Sequence, residues 1–263
     1  MMFDFELQFA CASDEGRMRP QNQDYVAFDD TLGLALLADG MGGHKGGEVA
    51  SYIAVTRVLE GTRGCLRRFA ERQLDLPTRL YGHLLTDQVI RANAVICSAG
   101  RDHTEYEGMG TTLVGALFRR KSVFVVNIGD SRMYRLRDGD LAQVTTDHSV
   151  VQAEIESGIM SEAEARISAH RHLVTRALGV SDAESPDLDV VDAVPDDLYL
   201  LCSDGLSDML SDEEIADELL VDASSLQACA DRLIDRANSA GGKDNVSVVL
   251  AKVGPRLRRT VSV

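Results

Sequence analysis

Nowhere in this chain does an apolar run approach the roughly 20 residues that span a bilayer. The opening stretch MMFDFELQFACASDEG is acidic and lacks the basic region of a secretory signal, so a cytoplasmic protein without a membrane segment is expected. The five cysteines, Cys11, Cys65, Cys97, Cys202 and Cys229, are odd in number, scattered, and form no C-x-x-C pair. Neither a disulfide framework nor a zinc knuckle is suggested, and free buried thiols are expected. Only five prolines occur in 263 residues and no low-complexity tract interrupts them, so no linker is visible. One domain over residues 1–255, with a short basic tail at 256–263, is the simplest division. Positive charge is also scarce, with 27 Lys and Arg against 42 Asp and Glu, a formal net charge of -15. That balance argues against nucleic acid, whose binders need a basic stripe. It suits a protein that gathers carboxylates around a divalent cation.

What the chain does contain is apolar strand-like runs: FELQFACA, LGLALLAD, TTLVGALF, SVFVVNIGD, MYRLRDGDLAQV, LDVVDAV, LYLLCSD and NVSVVLAKV. Several follow one another with no helix between them. Phe118 to Arg120 joins one pair and Asp138-Gly139-Asp140 another, which predicts antiparallel hairpins. Helical spacing of apolar residues covers Gly46 to Glu60, about Arg79 to Arg101, and Ser224 to Asn238. Ser211 to Glu214 is a capping box that starts a further helix. Strands in clusters and helices in separate blocks predict an α+β layered fold. The stretch Val150 to Pro186 has little β pattern, is helix-prone, and reads as a surface flap.

The stretch LALLADGMGGHKGGEVA, Leu34 to Ala50, ends an apolar run on Asp-Gly and passes through five glycines into a helix. Such a loop either cradles a phosphate with its backbone N–H groups or frees the preceding aspartate to bind something else. Neither G-x-G-x-x-G nor G-x-x-x-x-G-K-[ST] fits it, so the nucleotide fingerprints are absent. The rest of the chain supplies a rhyme: LYLLCSDG repeats the pattern at Asp204, VVNIGDSR ends a strand at Asp130, and strands start after Asp24 and Asp244. Each aspartate alone is an ordinary turn residue. Gathered at one edge they would repel, by about 4 kcal/mol for a pair 4 Å apart at an effective dielectric of 20, unless protonated or neutralised. All-oxygen ligation with retained water suits Mg²⁺ or Mn²⁺, and two such ions can activate a water against a phosphoryl group. Arg19, in GRMRPQNQD, is a candidate cation for a substrate phosphate, with Arg17 as its local competitor.

Taken together, SDEGRMRPQNQD, LLADGMGGHKGGEVAS, GMGTTLVGAL, NIGDSRMYRLRDG, TTDHS, TRALG, LLCSDGLSDML and GGKDNVSVVL resemble, in order and over Ala12 to Val253, the PP2C-type metal-dependent serine/threonine phosphatases in their compact bacterial form. The resemblance implies a four-layer αββα sandwich, two antiparallel sheets flanked by helices, with the metal site at one edge. It implies hydrolysis of phosphoserine and phosphothreonine by a water bridging two Mn²⁺ or Mg²⁺ ions, with a third ion in bacterial members. By position, Asp39 matches the bridging carboxylate and Gly40 a carbonyl ligand, Asp204 and Asp244 match ligands of the first metal, and Asp24 matches the residue acting through water. Asp130 and Asp208 match ligands of the third metal, with Asp204 shared, and Arg19 matches the phosphate-binding arginine. The partners implied are phosphorylated proteins, a cognate bacterial kinase or its substrates, met by a monomer.

The chain departs from the family pattern at two points. Gln23 stands in Asn22-Gln23-Asp24 where many members have glutamate, and Met41 follows Asp-Gly where eukaryotic members carry a histidine proposed as general acid. His44 reads as a surface histidine at a helix start, which leaves the general acid unassigned. Three rivals are weaker. Cys11 to Arg17 spells C-x5-R, but Asp14 and Glu15 would place two negative charges in a loop meant for a dianion. A non-catalytic domain for a phosphoprotein or kinase would be expected to have lost ligands. A two-metal phosphodiesterase lacks an added histidine cluster here, and His170 to His172 lies in the flap, where solvation is the expected role.

Overall fold

The computed structural model describes residues 5–42, 46–74, 76–221 and 225–256, apart from the side chain of residue 166. His44, Ser224 and nearly all of the basic tail lie outside the described residues. In chain order the elements are β1 (Phe5–Asp14), β2 (Asp24–Asp29), β3 (Leu34–Met41), α1 (Gly46–Glu71), α2 (Arg79–Asp102), β4 (Gly110–Thr111), β5 (Leu113–Arg119), β6 (Ser122–Ile128), β7 (Arg132–Arg137) and β8 (Asp140–Gln143). They continue with α3 (Val150–Glu156), α4 (Glu162–Ile167), β9 (Asp187–Asp192), β10 (Leu198–Cys202), α5 (Asp204–Ser207), α6 (Asp212–Leu220), α7 (Leu226–Ser239) and β11 (Val246–Arg256).

Two antiparallel sheets stack face to face, one ordered β1-β11-β10-β7-β8 and the other β2-β3-β5-β6-β9, with β4 paired to β3. The central strands β3, β5, β6, β10 and β11 are near-continuous apolar runs because both faces are buried, whereas the outer strands β2, β8 and β9 are partly or largely exposed. On β3, Ala35 and Leu37 point between the sheets while Leu34, Leu36 and Ala38 point under α1 and α2. On β11, Val249, Ala251 and Val253 point between the sheets while Val246, Val248 and Leu250 meet α6 and α7. The period of two sorts every second side chain to a different core, and the expected four layers result.

Local signals account for the ends of elements. Ser211 caps α6 with both halves of the capping box, and the β7–β8 turn places Asp138 and Gly139 at φ 53° and 90°, the left-handed pair that a two-residue hairpin needs. One helix runs further than its sequence pattern predicts. Gly61 resembles a terminator of α1, yet the helix continues to Glu71, with Gly61 packed against the side chain of Gln88 on α2. The stretch Val150 to Pro186 also divides. Its first part is α3 and α4, largely at the surface, whereas Ala177 and Leu178 near its end are buried and Leu178 joins the core under α1 and α2.

Candidate active site

Asp24, Asp39, Asp130, Asp204 and Asp244 converge at one edge of the sandwich, where a cleft of about 410 Å³ is lined by Asp39, Asp130, Asp204 and Asp244 together with Asp208, and Asp24 lies behind Asp39. Two come from one hairpin. Asp24 and Asp39 stand opposite each other in the β2–β3 ladder. The opposite sheet sends Asp204 from the turn after β10 and Asp244 from the loop before β11. Asp204 opens the short helical turn α5, a feature its strand-end pattern did not disclose.

The backbone at Asp39 is held on both sides. Its N–H donates to Thr112 Oγ1 at 3.0 Å, while its carbonyl accepts from Thr111 Oγ1 at 2.8 Å and from Thr112 N at 2.9 Å. Thr112 Oγ1 in turn shares a hydrogen bond with Ser131 Oγ at 2.7 Å, beside Asp130. The glycine-rich stretch serves close approach more than turning. A Cβ on Gly40 would lie 2.6 Å from the Gln23 carbonyl, and one on Gly47 would lie 2.7 Å from the Gly40 carbonyl, so the start of α1 abuts the end of β3. Asn245 ties the second loop to the first: Oδ1 accepts from Gln23 N, and Nδ2 donates to the Glu15 and Gln21 carbonyls, all at 2.9 Å.

Electrostatics mark the cluster as unsatisfied. Burial, then the neighbouring charges of Asp24, Asp204, Asp130 and Asp244, pushes Asp39 well above the ordinary carboxylate range. Asp204 is pushed the same way by burial and then by Asp130, Asp244, Asp208 and Asp24. Burial raises Asp24 to about 6 despite hydrogen bonds from serines, and raises Asp130 to about 7 with Asp147 adding to it. Asp24 Oδ1 and Asp204 Oδ1 are buried without a hydrogen-bond partner. Buried anionic oxygens without donors are what a bound cation relieves. The aspartates offer oxygen donors, which fit Mg²⁺ or Mn²⁺ rather than a softer metal.

Arg19 is exposed at the mouth and donates through Nη2 to Asp244 Oδ2 at 2.6 Å, and that bond chiefly raises its pKa. Arg17 instead uses its backbone N–H to bond the Gly242 carbonyl. Asp208 lies towards the flap, with Arg171 Nε 3.5 Å and His172 Nδ1 3.2 Å from its Oδ2. His172 is exposed, as the solvated reading expects, yet it is not isolated. It lines the cleft, and ligand atoms of His172, Asp204 and Asp208 all lie within 4.8 Å of one another. No spacing signal in HRH could have revealed this, because the flap's return path sets it.

Other sequence-based expectations are altered or excluded. Two of the five free cysteines, Cys11 and Cys65, are only half-buried. Cys11 sits inside β1, paired with Val249, so C-x5-R is no phosphate loop. Met41 lines the cleft and offers no proton donor there. No described helix is long and apolar enough to cross a membrane.

The comparisons with known proteins agree with this geometry. A model of the family described as Protein phosphatase 2C matches residues 17–250. The serine/threonine protein phosphatase PstP of Mycobacterium tuberculosis is 42% identical over 250 residues, covering 94% of this chain and 45% of that protein. The chain therefore spans about half the length of the mycobacterial relatives it matches. The serine/threonine phosphatase stp of Listeria welshimeri is 34% identical over 91% of this chain and 93% of its own length. Among solved structures, the catalytic domain of PstP in complex with two manganese ions superposes with a TM-score of 0.82 at 38% identity, covering 95% of this chain and 99% of that one. Sequence motifs in order, a sandwich of two antiparallel sheets and an acidic edge all lead to one assignment: the chain belongs to the protein phosphatase 2C family.

Proposed function

We propose that the chain is a metal-dependent protein serine/threonine phosphatase that hydrolyses phosphoserine and phosphothreonine by direct attack of water. The observation that carries this reading is the convergence of aspartates from both sheets with buried, donorless oxygens between them. Asp39 would bridge two cations, with the Gly40 carbonyl as a further ligand. Asp204 and Asp244 would complete one site, and Asp24 would act through water. Asp130 and Asp208, with Asp204 shared, would hold a third. When bound, Mn²⁺ or Mg²⁺ supplies a water acidic enough to be ionised near neutral pH and positive charge for the phosphoryl oxygens.

The chain's own residues supply the rest. Thr111 and Thr112 fix the Asp39 backbone before any substrate arrives. Arg19, exposed at the mouth and held by Asp244, is placed to exchange that partner for a phosphoryl oxygen. Among the described residues the cleft lining contains no cysteine or serine to take the place of water as the nucleophile. The flap, Val150 to Pro186, borders the cleft through Arg171 and His172 and would govern peptide choice. A cytoplasmic monomer opposing a bacterial serine/threonine kinase, acting on that kinase or its substrates, completes the reading.

The test is hydrolysis of a phosphothreonine peptide by purified protein, titrated with Mn²⁺ and then stripped with EDTA. Turnover that appears with metal and disappears with chelator supports the proposal, whereas turnover indifferent to EDTA, or none at any metal concentration, removes it. Trimming the flap should change peptide preference while sparing a small aryl phosphate, and equal loss on both would remove its assigned role.

A further inference from the structure

Outside the acidic cleft, the fully buried side chain of Asn93 in α2 uses both ends of its amide on the stretch where the flap returns to the core. Its Oδ1 accepts from Gly179 N at 2.7 Å and its Nδ2 donates to the Ser181 carbonyl at 2.7 Å. Cys97 Sγ, one turn further along α2, also donates weakly to Oδ1 at 3.7 Å. Gly179 has a φ of 89°, and a Cβ on it would lie 2.6 Å from the Met109 carbonyl and 2.7 Å from Ile96 Cγ2. The segment is therefore pressed between α2 and the residues entering β4, with the amide of Asn93 fixing its level.

One residue earlier, Leu178 exchanges both of its backbone hydrogen bonds with Thr111, at 3.0 and 2.9 Å. Thr111 is the residue whose hydroxyl donates to the Asp39 carbonyl at 2.8 Å. A continuous chain of short hydrogen bonds thus runs from Asn93 through the flap root to the backbone of Asp39. Nothing in the cleft chemistry requires a buried amide at this distance, and an apolar residue at 93 would leave the Gly179 N–H and the Ser181 carbonyl without this partner. Its polarity holds the flap root to α2 at one level.

We propose that Asn93 is a positioning residue for the metal centre: by clamping Gly179 and Ser181 it sets Leu178 and Thr111, and through them the Asp39 backbone, at the spacing divalent cations require. The inference rests on the reading of Asp39 as a metal ligand. Residues that orient metal ligands from outside typically change affinity by about 10- to 100-fold when altered.

The experiment is direct Mn²⁺ binding by the full chain, read from the electron paramagnetic resonance signal of free Mn²⁺ without substrate. Asn93→Ala and Thr111→Val should each weaken binding by about tenfold. The double variant should lose little more than either one, because both lie on one chain of contacts. Ile234→Ala, in the core beneath α7, should lower the melting temperature and leave Mn²⁺ affinity unchanged. Wild-type affinity in Asn93→Ala, a double variant showing the product of the two single losses, or an equal loss in Ile234→Ala would each overturn the proposal. Should Asn93→Ala fail to fold, Asn93→Asp keeps an acceptor for Gly179 and removes the donor to Ser181. Weakened binding there supports the clamp and wild-type affinity overturns it. Absence of Mn²⁺ binding in the unaltered chain would overturn the site reading itself, and this inference with it.

Discussion

Ser203, just past the end of β10 in one sheet, donates its hydroxyl to Asp24 Oδ2 at 2.8 Å at the start of β2 in the other sheet. The same Oγ accepts from Ser247 N at 3.0 Å. One hydroxyl therefore stitches the two sheets together where the acidic cluster would drive them apart. Its removal leaves Asp24, whose other oxygen already lacks a partner, with two buried oxygens poorly satisfied. Ser203→Ala should cost about 1–3 kcal/mol of stability, read as a lower denaturation midpoint in chelator.

Asp39→Asn and Asp204→Asn should separate stability from function. Each removes a buried charge crowded by four others, so in EDTA at pH 8 both variants should melt at a higher temperature than the parent. Both should lose phosphothreonine hydrolysis by at least the roughly 100-fold that outer partners of metal ligands reach. A calorimetric melt and a Mn²⁺-saturated assay check the two halves independently.

The pH dependence of the metal-free protein follows from the sign of the shifts. Asp24 at about 6 and Asp130 at about 7 lie above the ordinary range, so between pH 4 and 7 the folded state binds more protons than the unfolded one. Stability from these groups is fully present below the unfolded value and is lost as pH rises through the folded one. Melting temperature in EDTA should therefore fall from pH 5 to pH 8. Asp29 and Asp187, whose carboxylates are lowered, act in the opposite sense only below about pH 4 and leave that window clear. Saturating Mn²⁺ should flatten or reverse the slope.

Arg19 can be tested apart from the metal ligands because it lies at the mouth. Arg19→Ala should lower kcat/KM on a phosphothreonine peptide by about 100-fold, the scale of one lost oxyanion donor. It should not weaken Mn²⁺ binding, since removing it frees Asp244 Oδ2. Arg19→Lys should recover only part of the loss, because an ammonium cannot make the paired contacts of a guanidinium. A rise in the Mn²⁺ concentration needed for half activity would place Arg19 in metal retention instead.

Features encoded by neighbouring residues are legible in the sequence alone. The apolar runs, the Asp138-Gly139 turn, the Ser211 capping box and the rhyme between Asp39 and Asp204 each depend on residues a few positions apart. The limits of α1 were less legible, because Gly61 looks like a stop in isolation and is a packing contact beside Gln88. The half-buried state of Cys11 and Cys65 was likewise out of reach, since neighbours in sequence do not say how completely a face is covered.

Residue type and short spacing carry most of the strand and helix order, the resemblance to the protein phosphatase 2C family and the set of candidate aspartates. Only the tertiary structure decided that Arg19 meets Asp244, that Ser203 meets Asp24, that His172 stands beside Asp208 and that Asn93 reaches the flap root. Those pairs lie 36 to 225 positions apart or depend on the path of a returning flap, and they meet because two sheets bury both faces and bring their loops to one edge.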